Sequence, residues 1–207
     1  MKAAIPSASE DFFARAARVL AETTDVTVGG DHVMNPDFRR DDLSHVDAAV
    51  LIPIVARTPE PTVILTERMP HLSAHAGQIA FPGGKIDPGD HGAAGAALRE
   101  AEEEIGLAPS SVNVVGTLRP YLSRTGFRIV PVLGRVDPAC RLVLNKAEVA
   151  DAFEVPLSFL MTPENHVRAS RQFQGVERYF YEMPFGDRYI WGVTAGIIRG
   201  LYEQVYG

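Results

Sequence analysis

Three glutamates at helical spacing are the residues in this sequence best suited to chemistry. Glu100, Glu103 and Glu104 belong to the segment REAEEEIGL at positions 99–107. At about 100° per residue, these three carboxylates fall within an arc of roughly 100° on one helix face, whereas Glu102 points nearly the opposite way. Carboxylate oxygens are hard ligands that suit Mg²⁺ or Mn²⁺. The spacing therefore predicts a divalent metal site on one helix face.

A solvated acidic face is the alternative explanation for this cluster, and the residues just before it help to decide. Like charges three and four residues apart repel by roughly 0.2–0.5 kcal/mol per pair, so the cluster adds nothing to helix stability. Upstream, the segment FPGGK at positions 81–85 supplies the end of a predicted strand and two glycines. Glycines let backbone carbonyls and amides approach a metal or phosphate closely. This combination favours the metal site.

Several strands and a few helices are predicted to position this site. Apolar spacing and helix propensity predict an amphipathic helix near the N-terminus, a helix over 93–105 with Gly106 as its C-cap, and a closing helix over 194–206. We expect the first two strands to form a hairpin and residues 82–90 to form a turn-rich loop. Strands that do not alternate one for one with helices favour an α/β fold of the α+β kind, a mixed sheet between helices. The strands are predicted at 48–55, 62–66, 77–81, 112–118, 127–136, 149–155, 167–173, 178–183 and 189–191.

Composition limits the functional classes and the organisation of the chain. The 20 basic and 26 acidic residues give a net charge of −6, whereas nucleic-acid binding needs a basic surface. The single Cys140 excludes an intrachain disulfide and a Cys-based zinc cluster. We find no signal peptide, and the longest apolar run, Ala48 to Ala56, is less than half of the roughly 20 residues that a membrane span needs. We expect a soluble cytoplasmic protein, a monomer or homodimer, with a helix and arm over residues 1–44 packed on a main domain over residues 45–207.

The segment that contains the acidic helix resembles a known family motif. Residues Gly84 to Leu107 are similar to the Nudix box, G-x5-E-x7-R-E-U-x-E-E-x-G-U, in which U is apolar. Asp90 stands in place of the first Glu, and eight residues rather than seven separate it from Arg99. Both departures resemble the coenzyme A pyrophosphatase branch of the Nudix family, whose boxes commonly read GGK-x-D-x-x-D with one extra residue before ALREA-x-EE.

Segments outside the box extend the resemblance over residues 45–206. Residues 65–84 are similar to the upstream motif of that branch, LLT-x-R-S-x-x-L-R-x-H-x-G-Q-V-x-F-P-G-G, with Met69 for the usual Ser and Ser73 for the usual basic residue. The resemblance implies a Nudix fold and the Mg²⁺- or Mn²⁺-dependent hydrolysis of coenzyme A or acyl-CoA to adenosine 3′,5′-bisphosphate and (acyl-)4′-phosphopantetheine. Further segments at 123–132, 148–157 and 190–195 match SGF-x-V-x-PV, EVA-x-x-FEVPL and IWG-x-TA.

The resemblance also implies roles for the acidic helix. Glu100 and Glu104 would be the first metal ligands. Glu103 would be a further ligand or the catalytic base that orients the attacking water, and Glu102 would face solvent. Arg99 is either a substrate contact or the group that holds the neighbouring carboxylates, and its planar fork favours the second role.

Other residues near the box have more than one reading. Gly84 would lend its carbonyl to a metal or serve as a turn residue, and Asp90 is expected to be structural or an outer-shell group. Because a CoA-like substrate carries a 3′-phosphate besides its diphosphate, cationic contacts are expected beyond the metals, with Arg68 and Lys85 as the candidates tied to motifs. The open candidates are Arg124 and Arg128 as weaker phosphate contacts, His71 and His75 as structural or catalytic groups, Glu148 and Glu154 as a loop base, and Trp191 with residues 179–181 as adenine-stacking or core residues.

Two other functions stay open on the sequence alone. The same site would serve a Nudix enzyme for another nucleoside diphosphate derivative, such as ADP-ribose or a dinucleotide polyphosphate, and the departures at Met69 and Ser73 keep this alternative. A non-catalytic Nudix-like nucleotide sensor is disfavoured because all three carboxylates are present. RNA decapping is disfavoured by the net charge of −6.

Overall fold

The described chain folds into helices packed against two β-sheets. The computed structural model describes residues 9–22, 27–37, 45–71 and 77–207. The helices are α1 (Ser9–Glu22), α2 (Gly92–Ile105), α3 (Leu157–Leu160) and α4 (Gly192–Tyr206). The strands are β1 (Gly29–Gly30), β2 (Val46–Val55), β3 (Thr62–Arg68), β4 (Ile79–Ala80), β5 (Gly83–Lys85), β6 (Val112–Thr117), β7 (Tyr121–Leu122), β8 (Phe127–Val136), β9 (Val149–Pro156), β10 (Val167–Phe173), β11 (Val176–Phe185) and β12 (Arg188–Trp191).

The larger sheet is mixed and has β2 at its centre. Its strands run in the order β1-β7-β8-β2-β3-β4, while β5 pairs with β2, β6 with β8 and β9 with β3. β2 is parallel to β8 along its whole length and antiparallel to β3 and β5. The other sheet is antiparallel, in the order β10-β11-β12. The mixed sheet between helices that the sequence predicted is confirmed.

Two apolar clusters lie on opposite faces of the larger sheet. One packs α1, α4 and the small sheet against it, and includes Phe12, Leu65, Met183 and Leu201. The other packs α2 against it through Ala97, Ala101 and Ile105. Small alanines allow α2 to approach β2 and β5 closely, so the glutamates of this helix are held next to the sheet. Among the described residues, no helix is long and apolar enough to span a membrane.

The predicted helix over 93–105 is confirmed with one extra residue at its start. Gly106 caps it in the left-handed conformation with φ 65°, and its N–H bonds back into the last turn. Sequence reasoning placed the closing helix at 194–206, and the helix begins at Gly192. The four-residue α3 and the two-residue strands β1 and β7 were not predicted, because such short elements carry little periodicity.

The predicted hairpin of the first two strands is only partly correct. β2 and β3 pair only at Ile54 with Val63 and at Val55 with Thr62. Pro53, the residue before Ile54 in β2, has no N–H to donate, and the pairing of β2 with β3 stops there. β3 pairs with β9 along its other edge from Thr62 to Arg68. Farther along, β4 takes the place of β2 beside β3, and β5 takes the place of β3 beside β2.

The prediction that 82–90 is a turn-rich loop misses a strand, because residues 83–85 form β5. Gly83 makes this pairing possible, since a Cβ there would lie 2.7 Å from the Cα of Val50. Glycine content suggested a turn, but the same glycines here allow one backbone to lie against another. The segments 1–8, 23–26 and 38–44 of the predicted N-terminal arm lie outside the described residues, and so does His75.

Candidate active site

The most deeply buried carboxylate of the acidic helix is Glu104. Its residue is only 4% exposed, and its Oε2 accepts a hydrogen bond of 3.3 Å from the backbone N–H of Gly83 in β5. Its Oε1 lies 3.7 Å from Nη1 of Arg68 at the end of β3. The pKa of Glu104 is raised to about 7, mainly by burial; the charge of Arg68 opposes this rise and the nearby charge of Glu100 adds to it. A buried carboxylate with so few partners favours a cation beside it.

Glu100 lies one helical turn before Glu104 and next to the other glycine of β5. A Cβ on Gly84 would lie 2.5 Å from Cδ of Glu100, so the glycine leaves room for this carboxylate in its observed position. Burial raises the pKa of Glu100, Arg99 lowers it, and the charges of Glu103 and Glu148 raise it. The structure therefore brings Glu100 and Glu104 together over the two glycines.

Arg99 connects the acidic helix to the loop before it. Its Nε donates to Oδ1 of Asp90 at 2.9 Å, and its Nη2 donates to the backbone carbonyl of Lys85 at 3.1 Å. Its Nη1 donates to Glu100 at 2.8 Å and to Glu103 at 3.2 Å. These bonds raise the pKa of Arg99 and lower that of Asp90. The guanidinium thus fixes two carboxylates of the helix relative to the turn.

Asp90 accepts hydrogen bonds from the turn and from Arg99. Its Oδ2 accepts a hydrogen bond of 2.8 Å from the backbone N–H of Asp87, and its side chain is 6% exposed. Both of its carboxylate oxygens are therefore engaged by Arg99 and the turn. This position explains how the first Glu of the usual box can be replaced by a shorter acid.

Glu103 is oriented differently from its two neighbours. Its side chain is 57% exposed, and Arg99 is the partner that it contacts. Within the described parts of the chain, no three His, Cys, Asp or Glu residues are arranged to hold one metal ion together. The structure therefore brings two of the three predicted ligands together and leaves Glu103 exposed beside Arg99. Glu102 is exposed.

A fourth carboxylate, Glu148, lies beside the buried pair. It precedes β9, and its Oε1 accepts from Nδ2 of Asn145 at 3.1 Å, while the Asn145 N–H donates to the backbone carbonyl of Glu104 at 2.9 Å. Its charge raises the pKa values of both Glu100 and Glu104. Spacing along the sequence could not place Glu148, because more than forty residues separate it from the helix.

Glu154, the other loop carboxylate considered from the sequence, is engaged elsewhere. Arg57 donates to it from Nε at 3.0 Å and from Nη2 at 2.5 Å, and Thr62 donates its hydroxyl to the same carboxylate. The bond from Arg57 is the main reason that the pKa of Glu154 is lowered. These bonds hold Glu154 in a structural ion pair between β9 and the end of β2.

The two predicted cationic contacts differ in their surroundings. Arg68 lies beside Glu104, and its Nε is buried without a hydrogen-bond partner among the described residues. Lys85 is exposed at the end of β5 and presents its backbone carbonyl to Arg99. Arg128 pairs with Asp47 at 3.3 Å. Of these three cations, Arg68 is therefore the one that lies beside the buried Glu104.

Comparison with known proteins agrees with this geometry. The sequence model of the NUDIX domain matches residues 45–180. A protein of Escherichia coli (strain K12 / DH10B) named "Uncharacterized Nudix hydrolase NudL" is 42% identical over 173 residues, which cover 84% of this chain and 90% of that protein. A protein of the same name from Yersinia pestis (strain Pestoides F) is 44% identical over 158 residues, covering 76% and 79% of the two chains.

One solved structure supports the fold alone. DR0079 from Deinococcus radiodurans superimposes with a TM-score of 0.51 at 14% identity, covering 81% of this chain and 88% of that one. The NUDIX match covers more than half of the chain and includes β5, the acidic helix and Glu148. The chain therefore belongs to the Nudix hydrolase family, and it is a pyrophosphohydrolase that acts on nucleoside diphosphate derivatives.

Proposed function

We propose that the protein hydrolyses the diphosphate of coenzyme A or acyl-CoA, giving adenosine 3′,5′-bisphosphate and (acyl-)4′-phosphopantetheine. The observation that carries diphosphate hydrolysis is the pair formed by the buried Glu104 and the partly buried Glu100 over Gly83 and Gly84. The choice of CoA rests on the resemblance of residues 65–84 to the upstream motif of the CoA branch. Arg68 belongs to that motif and lies 3.7 Å from Glu104, so the motif borders the site.

A divalent cation fits the donor set of this site. Burial and mutual repulsion raise the pKa values of Glu100 and Glu104, and a cation would relieve both effects. We propose that Glu100 and Glu104 hold Mg²⁺ or Mn²⁺, the class of metal that Nudix hydrolases generally use, with Glu103 either a further ligand or the catalytic base. When bound, such an ion neutralises negative charge on the diphosphate oxygens.

The roles of catalytic base and of positioning residues are assigned to side chains of the protein. Glu103, as the catalytic base, would orient a water in line with one phosphorus of the diphosphate and accept its proton. The new P–O bond forms as the bond to the bridging oxygen breaks, and that oxygen leaves with the other phosphate. Arg99 positions Glu100 and Glu103, with Asp90 and the carbonyl of Lys85 holding it from behind. Glu148, beside the buried pair, is the second candidate for the base.

Substrate binding is assigned to the cations that border the site. We propose that Arg68 contacts a phosphate from its position beside Glu104, and that Lys85 reaches the substrate from the end of β5. Gly84 would lend its carbonyl to the metal. For the protein as a whole, we propose a cytoplasmic monomer or homodimer in which residues 1–44 pack on a Nudix domain formed by residues 45–207.

A second substrate class has a specific observation in its favour. Met69 and Ser73 depart from the usual CoA motif. A Nudix hydrolase for ADP-ribose or a dinucleotide polyphosphate would need the same carboxylates and a different binding surface. This alternative shares the mechanism and differs only in what the substrate carries beyond its diphosphate.

Product analysis tests the proposed function. Purified protein with CoA and Mg²⁺ is expected to release adenosine 3′,5′-bisphosphate and 4′-phosphopantetheine in equal amounts, as measured by liquid chromatography and mass spectrometry. Chelation of the metal should abolish release, and Mn²⁺ should restore it. Intact CoA after prolonged incubation, under conditions in which ADP-ribose is cleaved, would reject CoA as the substrate.

A further inference from the structure

The pairing of β3 with β9 contains a β-bulge beside the carboxylates of α2. Glu67 pairs with Asp151 and Arg68 pairs with Val149, so Ala150 is an extra residue of β9 that has no partner in β3. An extra residue bends its strand and changes the side of the sheet to which the following side chains point. Bulges are frequent beside active sites, where they re-aim a side chain. This bulge therefore decides how the last pair of the two strands stands relative to α2.

The residues just past the bulge border the candidate active site. Val149 packs in the apolar cluster beneath α2, and Nη1 of Arg68 lies 3.7 Å from Oε1 of Glu104. The next backbone hydrogen bond joins the N–H of Met69 to the carbonyl of Glu148 at 2.9 Å. Arg68 is a proposed phosphate contact and Glu148 a candidate base. A change in the pairing at the bulge would therefore move two groups of the proposed mechanism.

Two carboxylates stand directly opposite each other on the other face of the same strands. Leu65 of β3 is paired with Phe153 of β9, and both pack in the apolar cluster on the face away from α2. Directly opposite residues share a face, and side chains two residues apart along a strand point the same way. Glu67 and Asp151 are the next pair on this face. Like charges at directly opposite positions destabilise a sheet, so this pair would repel if nothing neutralised it.

Arg188, at the start of β12 in the small sheet, neutralises both carboxylates at once. Its Nη1 donates to Oε2 of Glu67 at 2.5 Å, and its Nη2 donates to Oδ2 of Asp151 at 2.6 Å. Its guanidinium also lies 4.5 Å from the ring centroid of Phe153. The planar fork suits this task, because each carboxylate takes one arm of it. A third carboxylate, Asp187, lies 3.7 Å from Nε but is 94% exposed, so solvent screens it.

We propose that Arg188 is a positioning residue for diphosphate hydrolysis. By joining Glu67 to Asp151 across the bulge, it holds Arg68 and Glu148 next to Glu104 from the opposite face of the sheet. The inference rests on the proposed function for the roles of Arg68 and Glu148, but it does not depend on CoA being the substrate. The competing explanation is that Arg188 only fastens the small sheet to the larger one, which would affect stability and leave substrate binding unchanged.

Steady-state kinetics of Arg188→Gln test the positioning role, with whichever of CoA and ADP-ribose is cleaved as the substrate. This variant should lower kcat/KM by about tenfold or more, because small displacements of groups that contact the substrate have effects of this size. Most of the loss should be a higher KM, since Arg68 is proposed to bind a phosphate. The matched control is Arg57→Gln, which removes a similar fork from Glu154 at the other end of β9. It should keep the wild-type KM.

Neutralising the opposed carboxylates separates positioning from fastening. The triple variant Glu67→Gln, Asp151→Asn, Arg188→Gln has no arginine at this place, but it also has no like charges in register. If Arg188 acts by relieving repulsion across the bulge, the triple variant should recover most of the KM that Arg188→Gln loses. If Arg188 only fastens the two sheets, the triple variant should stay as impaired as Arg188→Gln, because the fastening is absent from both.

Hydrogen exchange measures the same effect without turnover. The peptide that contains the N–H of Met69 should exchange about tenfold faster in Arg188→Gln than in wild type, with protection regained in the triple variant and unchanged in Arg57→Gln. If neither substrate is cleaved, the proposed function fails and exchange alone decides about Arg188. An unchanged KM in Arg188→Gln, a triple variant as impaired as Arg188→Gln, or unchanged exchange in Arg188→Gln would overturn the inference.

Discussion

Glu103→Gln is expected to lower kcat by roughly two to three orders of magnitude. Removal of a group that stabilises the transition state costs about this much. Glutamine keeps the size of the side chain and its contact with Arg99, but it neither accepts a proton nor supplies a full negative charge. The fold should persist, because Glu103 is 57% exposed and its contact in the structure is the 3.2 Å bond from Arg99. The loss should therefore lie in the chemical step rather than in stability.

Glu102→Gln is the matched control for this experiment. Glu102 is also exposed and lies one residue earlier on the same helix, facing away from the site. Both variants remove one negative charge from α2, so a nonspecific charge effect would appear in both. Steady-state kinetics and thermal melting of the two variants should show a large loss of kcat only for Glu103→Gln. Activity close to wild type in Glu103→Gln would transfer the role of the base to another group, with Glu148 as the first candidate.

Gly84→Ala is expected to have the second largest effect, a loss of about a hundredfold in kcat, because a 1 Å misplacement of a catalytic group has consequences on that order. The added Cβ would lie 2.5 Å from Cδ of Glu100. The carboxylate, at the end of a flexible side chain, would move rather than the backbone. The fold should survive while one proposed metal ligand is displaced.

The concentration of Mg²⁺ needed for half-maximal rate is the second readout for Gly84→Ala. It should rise in this variant, since the displaced Glu100 would bind the ion less well. Gly89→Ala is the control: this glycine lies in the same loop, and its Cβ would meet no atom within 4 Å. An Mg²⁺ requirement and a rate equal to those of Gly89→Ala would show that Glu100 has no part in holding the metal.

The helix that carries the chemistry could be predicted from sequence because its signals are local. Alanine content, the spacing of the glutamates and the C-capping Gly106 all lie within fifteen residues, and the structure has the helix where they place it. The mixed sheet also followed from the number and spacing of the strands. Periodicity captures what depends on near neighbours in the chain.

Features that depend on distant parts of the chain were missed or left open. The β5 strand was taken for a turn because its glycines matter only once Val50 lies against them. Glu148 and Glu154 looked equivalent in sequence, and only the pairing of β9 with β3 separates the one beside the site from the one bound by Arg57.

The relative efficiency of hydrolysis of CoA and ADP-ribose tests the central claim most directly. With purified wild-type protein at saturating Mg²⁺, kcat/KM for CoA should exceed that for ADP-ribose by about tenfold or more, since ADP-ribose lacks the 3′-phosphate of CoA and the cationic contacts that this group would make. Faster turnover of ADP-ribose than of CoA would contradict the account, and would assign the Glu100, Glu103 and Glu104 site to another nucleoside diphosphate derivative.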